Sequence, residues 1–340
     1  MEFTTGGRLE VRITASDVGK RVSVRSLTET GEPGARFTDT VGVLTSWTDG
    51  VLSVTRRGGE SVRIAEVSLV AGKVVPDAPA RRRGIPSAGV RELQETAARG
   101  WPATETERLG EWTLRAADGF TSRANSVLPL GSPGVPLDEA VDVAVRWYGA
   151  RGLPPRVQVT TGAADADELL AAELEERGWS AERHAVFRVG ALAPLADREP
   201  DTRIRLTREP GAGWLSAYRR TGGLEGSALK VLTGGPSVWF ATAGGEDGSE
   251  AEEGAPPAAI GRCVVDGRWA GFAALEVRPE RRREGLATGM MAELARRALE
   301  EGASAAYLQV EAANTAARTL YDGLGFADHH AYHYRRAPGE

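Results

Sequence analysis

The sequence predicts a mixed α/β (α+β) fold, built twice in tandem behind a small all-β barrel. Three observations carry that prediction. Residues 8–76 alternate apolar and polar side chains at period two, with turn residues between the runs. Beyond residue 88, strand-period and helix-period segments alternate, as in sheets flanked by helices. The order of those segments then recurs at an offset of 150 residues.

In the first segment RVSVRSL, TVGVLTSW, GVLSVTRR and SVRIAEVSLV read as short strands, broken at Thr48-Asp49-Gly50 and Arg57-Gly58-Gly59. Four or five such strands in so short a stretch suggest a barrel of the Src-homology or tudor type, with packing placed ahead of partner binding as its role. The Pro-, Arg- and Gly-rich stretch 76–89 reads as a linker, and GALAPLADREPD at 190–201 as a second break. The acidic tract 243–258 lacks large apolar residues and reads as a long mobile loop between two strands. These breaks divide the chain into a barrel at 1–78, a first α/β copy at 84–192 and a second at 200–340.

In the second copy TRIRLT reads as a strand and GAGWLSAYRR as a helix. SVWFATA, AAIGRCVVD and RWAGFAALEVRP follow as strands, the last two joined at Asp266-Gly267. A helix over 286–301 places Leu286, Met290, Leu294, Ala298 and Leu299 on one stripe. AYLQVE, NTAARTLYDGLG and FADHHAYHYRR complete it as strand, helix and strand. In the first copy, Val127, Pro129 and Gly152 fall on Val277, Pro279 and Gly302, and Gly178-Trp179 falls on Gly325-Phe326. The polar specialisations do not repeat. Ser126 stands for Glu276, Ser132 for Arg282, Val135 for Gly285, Asp167 for Asn314 and Leu174 for Tyr321. The first copy is therefore read as degenerate.

Composition narrows the function classes. The hydrophobic share of 41% and charged share of 26% are those of a globular protein. A net charge of −5 gives no global electrostatic case for nucleic acid. Only Lys20, Lys73 and Lys230 among the 42 basic residues are lysines, so arginine runs carry little information on their own. The single cysteine, Cys263, allows no intrachain disulfide and fits a reducing, cytoplasmic setting. The N-terminal stretch has no apolar core of a secretory signal, and no apolar run reaches the roughly 18 residues of a membrane helix.

PERRREGLATGMM, 279–291, places Arg282, Arg283 and Gly285 directly before a helix. A helix that opens on glycine leaves backbone N–H groups outward, and with the helix dipole they form an anion site. Gly285 and the small Ala287 let a phosphate approach the backbone. Arg282 and Arg283 can add charge-assisted contacts, and Thr288 a hydroxyl. This is not a Walker loop, because no Gly-Lys-Ser/Thr follows.

Arg282-x-x-Gly285-x-Ala287 after a strand ending Val-Arg-Pro, with Asn314, Leu320-Tyr321 and Gly325-Phe326 downstream, resembles the GNAT superfamily of N-acetyltransferases. The resemblance covers 200–340 strongly and 88–190 weakly, and leaves the N-terminal barrel out. The order of barrel, degenerate copy and intact copy resembles a group of actinobacterial members. The resemblance implies acetyl-CoA as acetyl donor and direct attack of a primary amine, on a small molecule or a protein, upon the thioester. The backbone at Leu275 and Val277 would hold the pantetheine arm, with the Val277 N–H polarising the acetyl carbonyl. Arg282, Arg283, Glu284, Gly285, Leu286, Ala287 and Thr288 would hold the pyrophosphate, and Asn314 would hydrogen-bond the cofactor. Tyr321 would be the general acid, against an alternative as a packing residue. Glu276 would be the general base, against an alternative as a solvated strand carboxylate. Two other readings stay open: a non-catalytic acyl-CoA sensor or scaffold, and a tandem enzyme resembling mycothiol synthase. No metal site is expected, and homo-oligomerisation is left open.

Four further observations accompany these. His329 and His333 are expected on one strand face and His330 on the other. Cys263 is expected in the core. Trp214, Tyr218 and Trp239 could shape an acceptor site or pack the core. Arg123 and Asn125 could face the second copy across a cleft.

Overall fold

The computed structural model describes residues 11–27, 37–56, 61–75, 83–218, 226–244 and 256–338. The Arg57-Gly58-Gly59 turn, the first half of the 76–89 linker and most of the acidic 243–258 tract lie outside them.

The N-terminal strands are β1 (Arg21–Leu27), β2 (Phe37–Thr48), β3 (Val51–Thr55), β4 (Ser61–Ala65) and β5 (Leu69–Val74). They form an antiparallel sheet of order β4-β3-β2-β1-β5. Asp49 and Gly50 both take positive φ, as the tight β2–β3 turn requires. Alternation buries Val22, Val24, Leu44, Leu52, Val54 and Ile64 on one face. Among the described residues β4 and β5 do not pair, so the expected barrel is seen as an open five-stranded sheet.

The rest of the chain supplies α1 (Val90–Gly100), β6 (Glu105–Leu109), β7 (Trp112–Ala116), β8 (Leu128–Pro129), α2 (Leu137–Gly149), β9 (Arg156–Thr161), α3 (Glu168–Glu176), β10 (Ser180–Ala191) and α4 (Leu192–Ala196). There follow β11 (Ile204–Thr207), α5 (Ala212–Ala217), α6 (Ser227–Thr233), β12 (Val238–Ala243), β13 (Ala259–Asp266), β14 (Trp269–Val277), α7 (Leu286–Glu300), β15 (Ala305–Glu311), α8 (Thr315–Gly323) and β16 (Phe326–Arg336). No described helix is long and apolar enough to cross a membrane.

Eight strands make one sheet of order β11-β12-β13-β14-β15-β10-β16-β9. Every pair is antiparallel except β14–β15. Val127 adds a parallel bridge to Val157 and so links β9 to the small sheet β6-β7-β8. The two copies exchange their last strands. β10, from the first copy, lies against β15 of the second, and β16, from the second, lies against β9 of the first. β10 and β16 pair with each other at the centre. The segments 84–192 and 200–340 therefore share one sheet. The 190–201 stretch is no loose break, since it ends β10 and forms α4, whose Leu192 and Leu195 are fully buried.

Helix α7 lays its apolar stripe on one face of this sheet, with Met290, Leu294, Ala295 and Ala298 packed among Cys263, Val265, Ala306 and Leu308. The other face is covered by α5 and α6 through Trp214, Tyr218, Val231 and Leu232. The N-terminal sheet docks on the second copy by charge. Glu301 is 4% exposed and accepts from Arg208, Ser237 and Trp239, with Lys73 at 3.6 Å. Asp39 accepts from Arg25 and Arg208. Burial alone would raise both carboxyls, but the facing cations hold each below its ordinary range.

Candidate functional site

The site begins where two parallel strands part. β14 pairs with β15 only from Trp269 to Phe272. Beyond that point a bulge sets Ala274 and Leu275 opposite Gly261 of β13, with Ala274 at φ +53. The bulge turns β14 away from β15. Arg278 N donates to Ala258 O at 3.0 Å, on the β13 side. By the alternation of an antiparallel ladder, Leu275 and Val277 turn their N–H groups the other way, into the gap. The first copy lacks this gap. Val127, the counterpart of Val277, donates to Arg156 O at 2.8 Å and accepts from Gln158 N at 2.9 Å.

The second part of the site is the start of α7. Arg283 (φ +65) and Gly285 (φ +80) turn the chain into the helix, and no side chain caps it. The Gly289 N–H makes the helical bond to Gly285 O at 2.9 Å. The N–H groups of Leu286, Ala287 and Thr288 precede it, where a helix has no internal acceptors to offer. A Cβ at Gly285 would meet nothing within 4 Å, so glycine serves the left-handed backbone here and leaves the approach open. In the first copy the matching turn is filled from within. The Glu111 carboxylate accepts from Ser132 N at 3.0 Å and Arg91 at 3.0 Å. A Cβ at Gly131 would overlap that carboxylate.

The third part is α8. Asn314 caps it, its Oδ1 accepting from Ala317 N at 3.1 Å. Tyr321 lies edge-on to Phe326, with centroids 5.9 Å apart. The helix is held by a residue of the other copy that the sequence did not single out. Arg188 of β10, 4% exposed, ion-pairs with Asp322 and Asp328 and donates to Arg318 O at 3.1 Å. At the first-copy counterparts of Asn314 and Tyr321, Asp167 Oδ2 is taken by Thr160 and Leu174 is fully buried.

One cleft of about 1870 Å³ joins these parts. Leu275, Glu276, Val277, Arg282, Arg283, Ala287, Asn314 and Tyr321 line it. Glu284, Gly285, Leu286 and Thr288 are not among its lining residues. Leu286 is a core residue at 2% exposure. The Glu284 carboxylate is held by Arg281 at 2.9 Å, which keeps it below its ordinary range, and its carbonyl accepts from Arg203 at 3.4 Å. Arg282 Nε reaches Val277 O at 3.4 Å. Thr121, Arg183, Ala274 and Arg283, four of the non-glycine residues at positive φ, all line the cleft. Such strain collects at functional sites.

The remaining expectations divide. Cys263 is fully buried, and burial pushes its thiol up. Trp239 is bonded to Glu301 on the α7 side, away from the cleft lining. Trp214 is core and donates to Gly261 O at 3.1 Å, while Tyr218 stacks on it at 5.5 Å and reaches the cleft. Asn125 is buried as a clamp on its own loop, whereas Arg123 does line the cleft. The histidine faces need correction. A register shift in β16 turns His329 onto His330, with Nδ1 atoms 2.8 Å apart, not onto the His333 face. His330 meets Gln94 at 2.8 Å, and His333 stacks on His184 at 5.0 Å. Burial first, and the neighbouring histidine second, pushes each down to about 4. No metal-binding cluster occurs among the described residues.

A split parallel pair, a glycine-led helix beside it and a doubled unit define a tandem N-acetyltransferase of the GNAT type. Solved structures agree on the fold. A GCN5-related N-acetyltransferase from Kribbella flavida superposes with a TM-score of 0.54 at 16% identity, covering 75% of this chain and 98% of that one. A tandem GNAT protein from the clavulanic acid biosynthesis pathway gives 0.51 at 15%, covering 78% and 91%. The chain belongs to the family described as "Probable histone acetyltransferase Rv0428c C-terminal", whose model matches residues 87–335. It is 29% identical over 324 residues to the probable histone acetyltransferase Rv0428c of Mycobacterium tuberculosis, spanning 95% of this chain and 96% of that protein. It is 27% identical over 251 residues to an uncharacterised N-acetyltransferase, YobR, of Bacillus subtilis, spanning 72% and 98%.

Proposed function

We propose that the protein transfers acetyl from acetyl-CoA to a primary amine, at one active site in the second copy completed by β10 of the first. The observation that carries this is the free β14 edge at Leu275 and Val277, beside the uncapped start of α7. An extended, amide-bearing arm fits an unpaired strand edge, and a pyrophosphate fits a helix N-terminus with Arg282 and Arg283 beside it. The contrast with the first copy supports a single site, because there Val127 is paired on both sides and the Glu111 carboxylate fills the turn that leads to α2.

When bound, acetyl-CoA supplies an activated thioester. The Val277 N–H, turned into the gap, would stabilise negative charge on the acyl oxygen. Glu276, half-buried on the cleft wall, would take the proton from the incoming ammonium, directly or through water. Tyr321 would return a proton to the departing sulfur, its ring held by Phe326 and its helix by Arg188. Leu286, Ala287 and Thr288 contribute backbone N–H groups, whatever their side chains touch. Asn314 has its oxygen engaged as a cap, so only its Nδ2 would be offered to the cofactor. Calorimetry with acetyl-CoA, followed by CoA release on an amine panel, tests the reading. It expects saturable binding and turnover, and absence of binding overturns it.

A further inference from the structure

The far end of the cleft narrows the class of acceptor, on the footing of the function proposed above. That end is built largely by the first copy, through residues of 119–123, 153–156 and 183–185, and Tyr218, Tyr332 and Tyr334 line it as well. Arg123 lies over Trp101, 5.2 Å from the ring centroid, beside Tyr332 and Tyr334. The Tyr332 side chain hydrogen-bonds its guanidinium, its Nε is sealed from solvent without a hydrogen-bond partner, and no carboxylate ion-pairs with it among the described residues. Its loop is rigid. The Asn125 side chain accepts from Ala117 N and Gly119 N and donates to Phe120 O and Thr121 O, at 2.8–3.0 Å.

The surrounding charge is mainly positive. Arg262, 5.1 Å from the same Trp101 ring, is fully buried, with its N–H groups on Leu232 O and Gly234 O. Arg115 is buried on Ser126 and Gln158. Neither meets a carboxylate among the described residues. Arg156, Arg183 and Arg336 share one, Glu182. The acidic lining residues, Glu276, Glu280 and Glu311, come from β14, the turn after it and β15. Burial works against the Arg123 charge, but Tyr332 and Tyr334 more than offset it and keep the guanidinium charged, and an excess of positive charge at one end of a cleft concentrates anions there.

We propose that Arg123 selects the acceptor, so that the site takes a small amine that also carries an oxyanion, a carboxylate or a phosphate. The oxyanion sits on the Arg123 guanidinium while the amine reaches Glu276. A lysine-rich peptide would bring further cations against Arg123, Arg156 and Arg183 and is disfavoured.

Matched amines test this with the full chain and saturating acetyl-CoA: an ω-amino carboxylate against its carboxamide, an aminoalkyl phosphate against the amino alcohol, and a lysine-rich peptide. In one pair or both, the anionic member is expected to show a KM roughly 10- to 100-fold lower than its neutral match, as a hydrogen bond to a charged group implies. The pair that responds identifies carboxylate or phosphate. Arg123→Gln should raise the KM of the anionic member by a similar factor and leave that of its neutral match, while Arg123→Lys recovers part. Wild-type preference for the neutral amines or the peptide overturns the proposal, as does an anion preference that survives Arg123→Gln. Calorimetry separates the failures. Acetyl-CoA binding without any anion preference overturns this inference alone, and no acetyl-CoA binding overturns the function beneath it as well.

Discussion

Replacing Gly285 by alanine and by aspartate separates the conformational role of the cradle from its electrostatic one. At φ +80 an L-residue costs about 1–2 kcal/mol, and with nothing within 4 Å of the added Cβ there is no steric contribution. Gly285→Ala should therefore lose about that much stability in urea unfolding and keep most of its acetyl-CoA affinity. Aspartate tolerates the left-handed region better, and a negative charge at a helix start returns about 0.3–1 kcal/mol. Gly285→Asp should be nearly as stable as the parent. Its carboxylate, however, would stand where the pyrophosphate is expected. Two like charges about 4–6 Å apart at an effective dielectric near 20 repel by about 3–4 kcal/mol, on the order of a hundredfold or more in affinity. Glu111, seated on the Ser132 N–H, is the internal precedent for such a plug. Titration calorimetry in low and moderate salt reads the effect. Unchanged acetyl-CoA affinity in Gly285→Asp, or an equal loss in both variants, would refute the cradle reading.

Other expectations are independent of that one. Tyr321→Phe keeps the ring on Phe326 and should lower kcat about 100-fold at unchanged acetyl-CoA affinity; unchanged turnover removes Tyr321 as the acid. Arg188→Met leaves Arg318 O and Phe326 O without their donor, while the half-exposed Asp322 and Asp328 return to water, and should cost about 1–3 kcal/mol in urea unfolding, with turnover falling as α8 loosens; a loss under about 0.5 kcal/mol removes its positioning role. His330 and His333 are held neutral in the fold near pKa 4, below an ordinary 6.5, so the unfolded chain binds more protons between those values. Stability is present above pH 6.5 and lost as pH falls toward 4, about 2 kcal/mol for each at pH 5, and a double His→Gln variant should lose less over that range than the parent. Gly271→Ala drives a Cβ into the buried Tyr307 ring and should cost about 1–3 kcal/mol, a melt within a degree of wild type arguing against the packing described.

Much of the candidate site's geometry was legible because its signals are local. Gly285 announces a positive φ and a helix start in one residue, and Asn314 announces a cap. The doubled sequence supplies its own control, so that Val135 and Leu174 mark what the first copy lacks. Arg188 and Glu111 carried no such signal. Each acts across more than a hundred residues or between a hairpin and a distant turn, and an arginine-rich chain hides a single important arginine. The histidine faces were misassigned because strict alternation fails at a β-bulge, which no residue in ADHHAYH advertises. The 190–201 stretch looked like a break by its proline and acidic residues, yet Leu192 and Leu195 anchor it in the core.

Periodicity, turn chemistry and the repeat are properties of neighbouring residues, and by themselves they determined most of the elements, their order and the tandem layout. The tertiary structure decided which strands pair. Which neighbour β10 and β16 each take depends on the summed packing of the whole sheet rather than on any one strand. That exchange brings Arg188 beneath α8, and residues of the first copy, Arg123 among them, line the cleft together with residues of the second.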